Sequence, residues 1–247
     1  MTVPPPPPPP PDERAFWNRY DTEWYESRYA AQGPDPVAAR RGDTVLRWLA
    51  ELRLHNPRII EVGCASGWLS DPLSRMGTLT ATDIADEVVQ RAKARYPHID
   101  FQGGDFLTMP LASGGFDVAV AVDLLSCISD PEGAVRRFAE VVKPGGWLLA
   151  VTPNRVVFER REDLDPRGLV PYRRWLTRGE LRRLLAPAFT IRRITSVVPV
   201  GHRGILRLVN SYKLDAVLRP LLGNRLDALK EWLGYGQSWV VLAQNRK

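Results

Sequence analysis

Glu61, Gly63 and Gly67 stand in the stretch RIIEVGCASGWLS, Arg58 to Ser70, where an apolar run breaks into a turn of small residues. An apolar strand, a glycine-punctuated turn and a helical pattern, in that order, is how a chain cradles a nucleotide-type ligand. The strand delivers the turn, small residues let the backbone come close, and the next helix N-terminus faces the ligand. Asp83 follows Gly63 by twenty residues and ends a second apolar run. A carboxylate there can accept hydrogen bonds from both ribose hydroxyls. A role as N-cap of the following helix competes for the same side chain.

A group able to take a proton from a substrate is harder to find. His55 precedes the first strand and His98 the third, which puts both at the amino-terminal face of a parallel sheet. His202 follows the sixth strand, over the carboxyl edge, and is the candidate base near neutral pH. A structural role in its Val-Gly-His-Arg-Gly turn is the alternative. Tyr20 and Tyr25 are candidates to shape or hydrogen-bond the substrate instead.

The elements that must position these residues follow from hydrophobic periodicity. Pro4 to Pro11 is an unbroken proline run, read with its flanks (1–12) as a disordered polyproline II arm. Asp12 to Ala31 reads as a helix with Phe16 or Trp17, Tyr20 and Trp24 along one side, and Val37 to Leu54 as a second helix. Strands are expected at Arg58–Val62, Thr78–Thr82, Ile99–Gln102, Phe116–Val122, Trp147–Val151, Thr190–Val198 and Ser238–Ala243. Helices are expected at Gly67–Met76, Ala85–Tyr96, Pro131–Val142 and Thr177–Leu185, the last with a Thr177/Glu180 capping box. Asn154 to Trp175 reads as a long loop and Gly204 to Trp232 as a pair of basic amphipathic helices. Strands alternating with helices predict an α/β fold with a mostly parallel sheet covered on both faces. Residues 13–247 form one expected domain: N-terminal helices (13–54), a ligand-binding core (55–153) and a substrate-side part (154–247) with a helical insert at 204–233.

Composition bounds the function. The chain has 247 residues, 44% of them apolar and 25% charged, as a packed globular domain requires. No apolar run reaches the ~18–20 residues of a membrane span, and no basic region followed by an apolar stretch opens the chain. Two cysteines, Cys64 and Cys127, make neither a disulfide framework nor a metal-ligand spacing, so a reducing, cytoplasmic setting is expected. The net charge of +6 is uneven, with 19 Lys/Arg against 8 Asp/Glu from Val151 onward. A basic half can meet an anionic substrate, RNA or a membrane surface; it can equally reflect composition, since 29 of the 34 basic residues are Arg.

Glu61-Val62-Gly63-Cys64-Ala65-Ser66-Gly67 resembles the first motif of class I S-adenosylmethionine-dependent methyltransferases, an acidic residue followed by glycines at alternate positions. Ala65 stands where the middle glycine usually is; alanine allows close approach but is expected not to take a positive φ. Gly104-Asp105-Phe106 resembles the third-strand signature, Phe116-Asp117 to Pro131 the fourth-strand block, and Val142 to Gly146 the turn before the fifth strand. The resemblance covers about Ile59 to Asn154. It implies a Rossmann-like seven-stranded sheet with its last strand antiparallel, an N-terminal helical lid and a helical insert between the last two strands. It also implies binding of S-adenosylmethionine and its product S-adenosylhomocysteine. The residues so implicated are Glu61, Gly63, Cys64, Ala65 and Gly67, then Asp83 and Ile84, then Gly104, Asp105 and Phe106, then Val122 and Asp123.

Within that family the block Leu124 to Pro131 and Thr152 to Arg155 are similar to ubiquinone-type and small-molecule methyltransferases. Quinone-pathway members tend to carry Glu, Glu and His where this chain has Asp123, Ser126 and Cys127. That difference argues against a metal at the site. Tyr25, Cys127, Asn154 and Arg155 are expected on the substrate side. The resemblance implies methyl transfer to an oxygen or nitrogen of a small molecule. Nucleic acid is not the expected partner, and peripheral membrane contact through the basic insert is an alternative to plain packing. An RNA methyltransferase and a non-catalytic adenosyl-ligand binder are the competing readings.

Overall fold

The computed structural model describes residues 12–25, 34–160, 173–199, 223 and 225–247. The proline arm and most of the 204–233 insert therefore lie outside the described residues, as does the 161–172 part of the expected loop.

The seven expected strands form one sheet in the order β3-β2-β1-β4-β5-β7-β6. They are β1 (Arg58–Val62), β2 (Thr78–Asp83), β3 (Asp100–Gly103), β4 (Phe116–Val122), β5 (Val142–Pro153), β6 (Phe189–Pro199) and β7 (Gly236–Asn245). β1 pairs in parallel with β2 and β4, whereas β7 is antiparallel to both neighbours, with Leu149 opposite Leu242 and Ile194 opposite Val241. β4 shows why the sheet is buried twice. Ala119 and Ala121 join the core on one face with Phe138 and Leu181. Val118 and Val120 join the other with Trp48, Leu49 and Val89. A strand with water on one side would alternate with polar residues; this one cannot.

The helices are α1 (Glu13–Tyr20), α2 (Pro36–Glu51), α3 (Ser70–Ser74), α4 (Asp86–Arg95), α5 (Leu124–Cys127), α6 (Pro131–Val141), α7 (Arg155–Phe158), α8 (Arg178–Leu185) and α9 (Arg225–Trp232). Several expected bounds move for local reasons. The first helix gives way to a wider π-helical turn at Asp21–Tyr25, where Asp21 forms an ion pair with Arg91 at 3.4 Å. α2 starts at Pro36 because Asp35 caps it, its side chain accepting the Ala38 N–H at 2.8 Å. α3 is far shorter than Gly67–Met76, since the turn before it consumes residues at positive φ. β5 runs well beyond Trp147–Val151, beginning in the glycine turn. The loop after it is not wholly irregular: Asn154 caps α7 by accepting the Val156 N–H at 3.2 Å. The capping box at Thr177 and Glu180 forms as expected. Among the described residues no helix is long and apolar enough to cross a membrane.

Candidate functional site

The chain leaves β1 for β2 and β3 on one side and crosses to β4 and β5 on the other, so strand order reverses between β1 and β4. Open α/β sheets hold ligands at that point, outside the carboxyl ends of the strands. A cleft of about 580 Å³ opens there, lined by Glu61, Gly63, Ala65, Asp83, Ile84, Gly104, Asp105, Phe106, Val122, Asp123, Cys127 and Tyr20. Twelve residues singled out in the sequence thus meet in one cavity.

The loop after β1 is shaped by three consecutive excursions: Gly63 at φ 77°, Ala65 at φ 46° and Gly67 at φ 80°. Ala65 was expected to avoid positive φ, and does not. Its N–H is drawn to Asp83 Oδ2 at 2.9 Å, while the Gly63 and Cys64 N–H groups both reach the Thr82 carbonyl, at 2.8 and 3.0 Å. Three bonds to the end of β2 over-determine the turn and hold the alanine where a glycine would rest freely. Two loop residues expected at the ligand do not line the cleft. Cys64 is 1% exposed and packs with Val45, Leu69 and Leu73 beneath the sheet. Gly67 is absent from the cleft wall; a Cβ there would stand 3.2 Å from Tyr96 and Phe101.

Asp83 is not an N-cap. That position belongs to Ala85, which has no side-chain cap. Asp83 Oδ1 instead accepts the Ala85 N–H at 3.0 Å. Burial raises its pKa above the ordinary carboxylate value, and backbone N–H groups of Ala85, Ala65 and Ile84 oppose that rise. Glu61 is buried more completely in effect: desolvation pushes it up to about 8, with the Ser70 hydroxyl bond at 2.5 Å opposing and Asp83 reinforcing. Asp105 Oδ1 accepts the Leu107 N–H at 2.9 Å, and Phe106 packs on Phe138 with centroids 4.5 Å apart.

Beyond β4, Asp123 sits at φ 61°, another non-glycine in the left-handed region. Its Oδ2 is paired with Arg41 of α2 at 2.6 Å, and its buried Oδ1 has no hydrogen-bond partner among the described residues. Glu13 Oε1, from α1, is likewise buried without a partner there. These two oxygens are acceptors whose hydrogen-bonding capacity no described residue uses. Arg41, Glu13, Trp17, Trp68 and Arg173 also line the cleft and were not anticipated. Trp68 directly follows the Gly67 motif, whereas the other four come from helices and loop segments distant from the strand ends; only the aromatic stripe on α1 hinted at Trp17. Arg173 reaches the Tyr20 hydroxyl and the Cys127 sulfur with its guanidinium.

Asn154 and Arg155, expected on the substrate side, do not line the cleft. Asn154 is 0% exposed, and its Nδ2 donates to the Gly234 and Gly236 carbonyls at 3.0 and 2.8 Å, tying β5 to the approach to β7. Arg155 turns to Glu180 at 2.9 Å. His98 lies outside the site, 3.5 Å from Ser74 Oγ, and His55 is exposed before β1. His202 and the Tyr25 side chain lie outside the described residues.

Residues 60–150 match the family described as "Methyltransferase domain". The chain is 31% identical over 155 residues to a ubiquinone biosynthesis O-methyltransferase from Albidiferax ferrireducens, an alignment covering 55% of this chain and 61% of that protein. The chain thus spans about three fifths of the length of the first curated relatives it matches. With the protein of the same name from Methylobacterium nodulans it is 29% identical, over 78% of this chain and 88% of the other. Among solved structures, an S-adenosylmethionine-dependent methyltransferase from Thermotoga maritima superposes with a TM-score of 0.65 at 20% identity, covering 95% of this chain and 99% of that one.

Proposed function

We propose that this chain, a member through residues 60–150 of the class I S-adenosylmethionine-dependent methyltransferase superfamily, transfers a methyl group from S-adenosylmethionine to an oxygen or nitrogen of a small molecule. The observation that carries the reading is the cleft at the β1/β4 reversal, with Glu61, Asp83, Asp105 and Asp123 along its floor. Two buried carboxylate oxygens, Glu13 Oε1 and Asp123 Oδ1, lack donors among the described residues. The cofactor's α-ammonium and adenine amino groups are donors of the kind they need. In this reading Asp83 takes the ribose hydroxyls with the lone pairs its backbone N–H bonds leave unused. Asp105 lies along the adenine, and Glu61 with the Gly63 loop along the amino-acid end. When bound, the sulfonium supplies an electrophilic methyl group. The chain's own part is to align the acceptor, exclude water and keep the reacting atoms close.

The names of the ubiquinone-pathway relatives support a small-molecule acceptor over RNA. Calorimetry of the purified protein with S-adenosylmethionine, S-adenosylhomocysteine and NAD tests the cofactor. Binding of the first two without comparable binding of NAD is expected, and NAD binding alone would overturn the reading. Mass-shift detection of a 14-Da gain in acceptor libraries tests the transfer. Cofactor binding with no transfer to any acceptor would favour the non-catalytic reading.

A further inference from the structure

The β4/β5 side of the cleft holds an arginine, Arg173, that forms no ion pair among the described residues. Arg173 is delivered by a segment fastened at three points. The Arg174 N–H bonds the Ser126 carbonyl at 2.8 Å, Leu176 forms a parallel bridge with Asn154, and the Trp239 indole N–H bonds the Leu176 carbonyl at 3.1 Å. The Trp175 ring packs on Phe158, centroids 5.2 Å apart. A guanidinium so anchored is not a solvated surface charge free to swing away.

The guanidinium lies beside Tyr20 and Cys127, and the Asp123 carboxylate acts on it electrostatically without forming a direct ion pair among the described residues. Asp123, the nearest candidate, spends Oδ2 on Arg41. The Nε–H of Arg173 is shut off from solvent and has no hydrogen-bond partner among the described residues. An arginine is always charged, and a desolvated charge without a counterion is costly. A sulfonium in the same cleft would add a second positive charge. An anion lying between the two would relieve both.

We propose that Arg173, with Tyr20 beside it, is the binding site for a carboxylate on the methyl acceptor. A carboxylate pairs with guanidinium N–H groups in a forked geometry that a neutral amide cannot match. Position separates this site from the nucleoside end of the cofactor. Arg173 comes from the β4/β5 side, past α5, while Asp83 and Asp105 mark the nucleoside on the β2/β3 side. The proposal rests on the methyl-transfer reading of the cleft.

The test is calorimetric titration of the S-adenosylhomocysteine-loaded full chain with 4-hydroxybenzoate and with its neutral isostere 4-hydroxybenzamide. The carboxylate is expected to bind at least tenfold tighter than the amide. Arg173→Gln should abolish that preference and leave S-adenosylhomocysteine affinity within twofold, and Arg173→Lys should keep part of the preference. An unaltered circular dichroism spectrum and melting temperature guard against a folding defect. No preference in the wild type, including no binding of either probe, overturns the proposal. So does a tenfold loss of S-adenosylhomocysteine affinity in Arg173→Gln, which would give this arginine to the cofactor's carboxylate. A wild type that fails to bind S-adenosylhomocysteine sinks the cofactor reading instead, and the same two probes titrated into the unloaded chain then decide the anion site on their own.

Discussion

Asp83 and Ala65, eighteen residues apart, are joined by a 2.9 Å bond from the alanine N–H to Oδ2. One carboxylate therefore has two tasks: it presents itself to the cleft, and it holds the neighbouring loop in a conformation alanine disfavours. The loop's shape is borrowed from the end of β2.

Ala65→Gly removes that strain. A left-handed conformation costs a non-glycine residue ~1–2 kcal/mol, and glycine returns ~0.5–1 kcal/mol in chain entropy. A net gain of up to about 1 kcal/mol is expected in urea denaturation, with S-adenosylhomocysteine binding retained. A loss of stability would show that the alanine methyl packs to more effect than its φ costs.

Asp83→Ala is expected to weaken S-adenosylhomocysteine binding by at least about 100-fold, from two charge-assisted hydrogen bonds at ~1.5–3 kcal/mol each. The loop contributes part of any such effect. In an Ala65→Gly background the turn no longer needs its strut, so Asp83→Ala should cost about 1 kcal/mol less stability there than in the wild type. The binding loss should persist in both backgrounds. If it vanishes in the Ala65→Gly background, Asp83 serves the loop and not the ligand.

Glu61 gives the unliganded protein a distinctive pH response. Its folded form keeps a proton up to about 8, while the unfolded chain releases it near 4.5. The folded state thus binds more protons across that window, and stability falls as pH rises through it. Below pH 4.5 the group is neutral in both states and costs nothing. Glu61→Gln should flatten the curve, with the variant gaining on the wild type by as much as ~5 kcal/mol between pH 4.5 and 8. Asp83 and Glu13, also raised by burial, leave some slope behind. Parallel curves for variant and wild type would show that Glu61 is ionised in the folded protein.

Asn154→Ala should destabilise the fold by about 3 kcal/mol, because the Gly234 and Gly236 carbonyls lose their buried donor. S-adenosylhomocysteine affinity at saturating folded protein should stay within twofold. A selective effect on acceptor binding would restore the substrate-side role that its position after β5 suggested.

These cases show what a linear pattern can carry. The strands were readable because parallel, twice-buried strands are apolar throughout, as in Phe116–Val122. The cleft-lining acids Asp83 and Asp105 were readable because they sit where strands stop. Asn154 also follows a strand end, yet two carbonyls about eighty residues away turn its amide inward. Cys64 lies inside the right motif but on its core side. Arg173 carries no local signal, since its place depends on a segment pinned to Ser126, Asn154 and Trp239. The φ of Ala65 could not be foreseen without its bond to Asp83.

α1 buries none of its own residues, yet Glu13, Trp17 and Tyr20 form one wall of the cleft. It is fastened across α4 by polar contacts: Asn18 to Asp86 at 2.8 Å, Arg14 to Asp86 at 3.4 Å, and beyond its end Arg91 to Thr22 at 3.0 Å. A wall held by apolar burial would tighten as salt rises. One held by exposed charge loosens, because ions within ~8 Å at physiological strength screen such pairs. Ionic strength is therefore expected to act on this wall more than on the sheet beneath it, and S-adenosylhomocysteine association and dissociation rates measured across salt check it.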